Sequence, residues 1–96
     1  MRRETILAEA ESLINGDRDK EYGEPSVNHK RIAELWSVIL DQAVSEQDVY
    51  LCMIAVKISR LIHDSEHEDS WVDIAGYAAL GGETDIPPLR EDITEV

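Results

Sequence analysis

Apolar residues in this chain recur at three- and four-residue intervals in four successive segments, and nowhere do they keep the two-residue alternation of a half-buried strand. The chain therefore has helices to fold with and no sheet. From Arg3 to Ile14 the residues Ile6, Leu7, Ala10, Leu13 and Ile14 form one stripe, and Asn15-Gly16 supplies a left-handed stop. Residues 17–25 (DRDKEYGEP) hold too much charge for a core and read as a loop. A second helix enters at Ser26 or just before, where Pro25 is tolerated, and runs to about Ala43 with Ile32, Leu35, Trp36, Ile39 and Ala43 inward. A third, from about Glu46 to Ile62, gathers Leu51, Ile54, Ala55, Ile58, Leu61 and Ile62 in one apolar sector, leaving Tyr50, Met53, Lys57, Arg60 and Asp64 on its other side. Ser65-Glu66-His67-Glu68 has capping-box form, so a fourth helix begins there, continues to about Leu80 and stops at Gly81-Gly82. Its wheel puts Trp71, Ile74, Ala75 and Ala78 on a core face and Asp69, Asp73 and Tyr77 nearly opposite, with Gly76 beside them. These spacings predict an all-α, four-helix-bundle-like fold: one helical domain over residues 1–82 and an acidic, proline-containing tail over 83–96.

Composition narrows the partners. A chain of 96 residues buries roughly two-thirds of its unfolded surface, enough for one modest core that oligomerisation would help. Nine basic against 21 acidic residues give a net charge of −12, a field that repels phosphate backbones and anionic lipid, so neither duplex nucleic acid nor a membrane surface is an expected partner. No apolar run reaches the roughly 18 residues of a membrane span, and Glu4, Glu9 and Glu11 interrupt what a signal peptide would need. The single cysteine, Cys52, cannot close an intrachain disulfide, which suits a reducing cytoplasm.

Two clusters carry possible chemistry. Asp69 and Asp73, at i and i+4, offer paired carboxylates of the kind Mg²⁺ takes together with waters and substrate phosphates; acids in the first turns of a helix also simply favour its dipole and face solvent. Lys57 and Arg60 are a rare basic pair suited to phosphates, or to surface ion pairs such as Arg60 with Asp64. Asn28 and His29 project with the inward stripe of the second helix, as ligand contacts or as satisfied structural hydrogen-bonders, whereas Glu34 points away from that stripe. Tyr22, Trp36 and Trp71 are surfaces on which a base could stack, although the tryptophans are more simply core anchors.

The pattern GDR-x₃-YG-x-P-x₂-NH-x-RIA-x-LW, followed by K-x₂-R and then HEDSWVDIAGYAAL, resembles a family of small phage and prophage helical domains over residues 16–83 or so. That family is similar in turn to the all-α nucleoside-triphosphate pyrophosphohydrolases of the MazG and dUTPase-like type. The resemblance implies Mg²⁺ held by an E-x-x-E pair and a later E-x-x-D pair, with water attacking a phosphoanhydride. Asp69 and Asp73 are similar to the later pair at one residue wider spacing; the earlier pair has no counterpart, and Glu34 is the one carboxylate among the substitutes Asn28, His29, Arg31 and Glu34. Lys57 and Arg60 resemble the phosphate-contacting cations, and a homodimer or homotetramer with sites near subunit interfaces is implied. The expectation is a Mg²⁺-dependent nucleotide-binding domain in which Asp69 and Asp73 hold metal, Asp69, Asp73 and Glu34 are the catalytic candidates, Lys57 and Arg60 hold phosphates, and Asn28, His29 and Tyr22 shape the base or sugar end. As an enzyme it would release pyrophosphate from a nucleoside triphosphate. The alternatives are an oligomeric phage protein that binds or sequesters a nucleotide or signal nucleotide without cleaving it, and an interaction module docking on a host protein.

Overall fold

The computed structural model describes residues 1–17 and 24–84; Tyr22, and the tail from residue 85 onward, lie outside the described residues. Within them the chain is entirely helical, with four α-helices: α1 Arg3–Ser12, α2 Pro25–Leu40, α3 Glu46–His63 and α4 Glu68–Glu83. Local chemistry sets most of the ends. Leu13–Asp17 continue α1 as a wider π-type turn broken at Gly16, whose φ of 170° is extended rather than the left-handed stop expected. Pro25 occupies the first turn of α2, and the Glu24 carboxylate accepts from the Val27 amide at 3.1 Å. Asp41 turns into the left-handed region at φ 51° and ends α2 at Leu40, so Ala43, expected in the inward stripe, falls in the connection to α3.

A capping box does form, at the head of α3: Ser45 Oγ accepts from the Asp48 amide at 3.1 Å while the Asp48 carboxylate accepts from the Ser45 amide at 3.0 Å. At Ser65–Glu68, where one is expected, Asp64 accepts from the Glu66 amide instead, and α4 starts at Glu68. Nor does Gly81-Gly82 stop α4, which runs through both to Glu83.

The most extensive contact is between α3 and α4; α1 packs on α4, and α2 on α3. Side-chain orientation turns both α3 and α4 away from the expected faces, although Leu61 of the expected α3 sector is buried and Ile54, Ile74 and Ala75 are half-buried. On α3 the buried residues are Val49, Tyr50 and Leu61, and Met53 and Lys57 are half-buried, whereas Leu51, Ala55, Ile58 and Ile62 are exposed. On α4 Ser70, Val72, Gly76 and Gly81 are buried and Asp73 and Tyr77 half-buried, while Trp71 and Ala78 of the expected core face are exposed. Trp71 is therefore no core anchor: its indole N–H donates to the Ser65 carbonyl at 2.9 Å. On α2, Ile32 and Trp36 are half-buried as expected of the stripe, but Leu35 and Ile39 are exposed.

Small residues explain why α4 turns as it does. A Cβ built on Gly81 would stand 3.4 Å from Tyr50 Cβ, and one on Gly76 would stand 3.1 Å from a methyl of Ile14. The glycines let α3 and the end of α1 close onto α4. Tyr50 is the largest fully buried side chain. Its hydroxyl donates to Glu46 at 2.8 Å, and the other carboxylate oxygen accepts from Ser26 at 3.2 Å, tying α2 to α3. Burial, then the hydrogen bond to Glu46, push the Tyr50 phenol well above its ordinary range.

That shift carries a sign. The native state holds the Tyr50 proton after the unfolded chain has released it, so stability is fully present below the unfolded tyrosine value of about 10 and falls as pH rises beyond it. Tyr50→Phe should cost about 1 kcal/mol at neutral pH through the lost hydrogen bond, and the deficit should shrink above about pH 10. Melting temperatures of the two chains measured from pH 7 to 11 check this; a deficit that is constant over the range refutes it.

Candidate functional site

The rotations of α3 and α4 bring together side chains that the helical wheel sets on the sides opposite the expected core. A cavity of about 320 Å³ lies between the end of α1, α2 and α4, with Met53 contributed by α3. Leu13, Ile14, Ile32, Trp36, Val72 and Leu80 give it apolar walls, and Asn28, His29, Asp73 and Tyr77 are its polar lining. Mostly apolar walls with a few convergent polar groups are the usual build of a small-molecule site.

His29 is held in place by its own helix. Its Nδ1 lies 2.7 Å from the Pro25 carbonyl oxygen, which can only accept, so Nδ1 is the donor and Nε2 is the acceptor of the neutral ring. The ring centroid is 4.6 Å from that of Tyr50 and 6.1 Å from that of Tyr77, the latter edge-on. Three rings from three helices thus form one cluster beside the cavity.

Asp73 is the acidic member of the lining, and it meets Lys57 of α3 at 3.1 Å, the two side chains being 13% and 24% exposed. Screening is weaker there than on the surface, so the pair is worth more than an exposed ion pair. The remaining expected site residues sit further out. Asp69, one turn before Asp73 on α4, is exposed, as are Arg60 on α3 and Glu34 on α2. Among the described residues no group of three or more histidine, cysteine, aspartate or glutamate side chains is placed to hold a metal ion. His67, two residues before Asp69, shares a 2.7 Å hydrogen bond between its Nδ1 and the fully buried Ser70 hydroxyl.

The wheel groups Asn28 and His29 with Ile32 and Trp36, and the cavity contains all four. It misses Tyr50 and Met53, which it assigns to the polar side of α3, and the contribution of Leu13 and Ile14. The signal for Tyr50 is the glycine at position 81 and the small residues of α4, which invite a large side chain from a neighbour.

A family model described as "Domain of unknown function (DUF6378)" matches residues 5–85. The "Gene 55 protein" of Mycobacterium phage D29 is 48% identical over 75 residues, covering 78% of this chain and 50% of that protein. The "Gene 55 protein" of Mycobacterium phage L5 is 40% identical over 84 residues, covering 86% of this chain and 54% of that protein. The chain thus spans about half the length of these curated relatives. No solved structure matches it.

If the ion pair orients the α3–α4 contact, removing one partner should cost far more than removing an exposed cation. Lys57→Met is expected to lose about 1.5–3 kcal/mol in urea unfolding, against no more than about 0.5 kcal/mol for Arg60→Met. Adding Asp73→Leu to Lys57→Met should recover part of the loss, because no uncompensated charge is then left behind. Equal costs for Lys57→Met and Arg60→Met would show that the pair orients nothing.

Proposed function

The chain belongs to the family of the domain of unknown function DUF6378, with relatives in mycobacteriophages, and we propose that it binds a nucleoside phosphate at the cavity between α2 and α4. The observation that carries this reading is Asp73, paired with Lys57 behind it, in the lining of a mostly apolar cavity that also holds Asn28 and His29. An aromatic base suits such a cavity: its faces need apolar walls, and its edge needs a small number of fixed donors and acceptors. With Nδ1 turned to Pro25, His29 presents Nε2, an acceptor in the neutral ring, and Asn28 offers both kinds of group. Lys57 and Arg60, one turn apart on α3, bind the phosphates, the first as a point charge and the second as a planar fork.

Mg²⁺ fits the donor set in its minimal form. Asp69 and Asp73 are two carboxylates one turn apart, and Mg²⁺ commonly takes one or two carboxylates, completing its shell with waters and phosphate oxygens. When bound, it would neutralise phosphate charge and polarise the anhydride. Asp73 would then share its charge between the cation and Lys57, and the Lys57 ammonium would be released toward the phosphates. The resemblance to MazG-type pyrophosphohydrolases belongs to this same reading, as does a place in the host cytoplasm.

Binding without cleavage is the second reading, and a specific observation favours it. The described residues gather no third acid beside Asp69 and Asp73, and Glu34, the substitute carboxylate on α2, is exposed and absent from the cavity lining. A hydrolase must activate water with a positioned base as well as hold the metal.

Thermal unfolding across the nucleotides, with and without Mg²⁺, tests the proposal. A ligand at 100 times its Kd should add about 2.7 kcal/mol of stability. Pyrophosphate released in the same samples marks an enzyme; a shift with none released marks a binder. Asp73→Asn should remove the Mg²⁺-dependent increment while the chain stays helical by circular dichroism. If no nucleotide raises the melting temperature under either condition, the proposal fails.

A further inference from the structure

The segment Arg3–Asp17, α1 with its terminal turn, is about as long as an isolated helix that is only marginal in water, so packing must hold it. Its ends add little. Arg2 at the N-cap makes no side-chain hydrogen bond to the first turn, and the last turn of α1 has no basic residue but carries Glu9 and Glu11, where the helix dipole disfavours acids. The ion pairs of Arg2 and Arg3 with Glu4 lie within the segment and are exposed. Its packing is on α4, and that contact is thin: Ala10 is the buried residue of α1, Ile6 is half-buried and Leu7 is 64% exposed.

This lightly held segment is also one wall of the cavity. Leu13 and Ile14 line it together with Val72, Asp73, Gly76 and Tyr77 of α4, and they belong to the π-type turn, a feature frequent at functional sites. Ile6, Ala10, Leu13 and Ile14 stand at i, i+4, i+7 and i+8 on one stripe, so helix and wall leave α4 together or not at all. The α3–α4 pair has its own ties, from Tyr50 to Glu46 and from Lys57 to Asp73, and none of these involves α1. An element with few buried apolar contacts opens at a lower free energy than the whole fold, and a ligand that needs the closed form draws the population back to it. We propose that α1 with its terminal turn is a lid: it opens from α4 as a unit while α3 and α4 stay packed, and a ligand that touches Leu13 and Ile14 closes it. The closing step rests on the cavity being the nucleotide site.

Hydrogen exchange followed by NMR on the full chain tests it. The amides from Ile6 to Leu13 should share one opening constant, larger than that of the α3 amides. Gly76→Ala sets a methyl 3.1 Å from Ile14, so it should raise α1 opening roughly fivefold or more while the α3 amides exchange no faster. Glu11→Lys, at an exposed position, should lower it about threefold through the dipole. ATP, GTP, CTP and UTP, each with Mg²⁺, are the ligand probes. One that raises the melting temperature should slow the α1 amides by the same factor as the slowest α3 amides, because the open form does not hold it. The lid is overturned if α1 and α3 share one opening constant, or if Gly76→Ala speeds both equally. A nucleotide that raises the melting temperature and leaves α1 exchange unchanged overturns the lid while the nucleotide reading stands. If no nucleotide binds but the three ligand-free results are obtained, the nucleotide reading falls and the opening of α1 stands.

Discussion

Lys57 and Asp73 meet inside the α3–α4 contact, and their meeting is tied to the rotation of both helices about their own axes. Side chains one residue apart differ by about 100° on a helix. Turning α3 to bury Leu51, Ala55, Ile58 and Ile62 against α4 would carry Tyr50, Met53 and Lys57 out to water. The ion pair alone does not decide between the two rotations, since desolvating two charges offsets much of their attraction. Tyr50 supplies the rest. It is the largest fully buried side chain, it fits against Gly81, and its hydroxyl has a partner in Glu46 that also binds Ser26 of α2. The pair and the tyrosine select the same rotation, and that agreement makes the contact specific.

Helix positions are legible because they rest on single residues with strong local preferences. Pro25 marks an entry and Gly16 breaks a helix end, whereas the capping box of Ser45 with Asp48 is seen only in the structure. Ser65 with Glu68 misleads because capping-box form is satisfied by many surface sequences, and here Asp64 accepts from the Glu66 amide first. Rotation is far less legible. From Val72 to Leu80, Asp73 is the one charged residue, so α4 has almost no polar face to contrast with a core face, and its packing follows the notches at Gly76 and Gly81. In α3 the aliphatic sector is real, but periodicity does not show which part of it the same chain covers, and only Leu61 and Ile54 of it are drawn in.

The candidate site inherits this division. Asn28 and His29 can be placed from the second helix because Ile32 and Trp36, with which they share a face, point into the same cavity. The meeting of Lys57 with Asp73 joins the two faces that the wheel labels polar, so it leaves only part of the expected core faces, Leu61 with Ile54, Ile74 and Ala75, out of solvent. Arg60 and Asp69 stand one turn along their helices from that pair and are exposed.

The two sides of α3 differ sharply. Met53 and Lys57 face the cavity and Asp73 respectively, while the uncharged row from Leu51 to Ile62 lies on the far side of the same helix. The described lining of the cavity is drawn from one chain, from the end of α1, α2, α3 and α4. A change in the cavity reaches α3 through Met53 and through Lys57 by way of Asp73, so to move the far side of that helix it must work against the rotation that Tyr50 and the ion pair hold fixed.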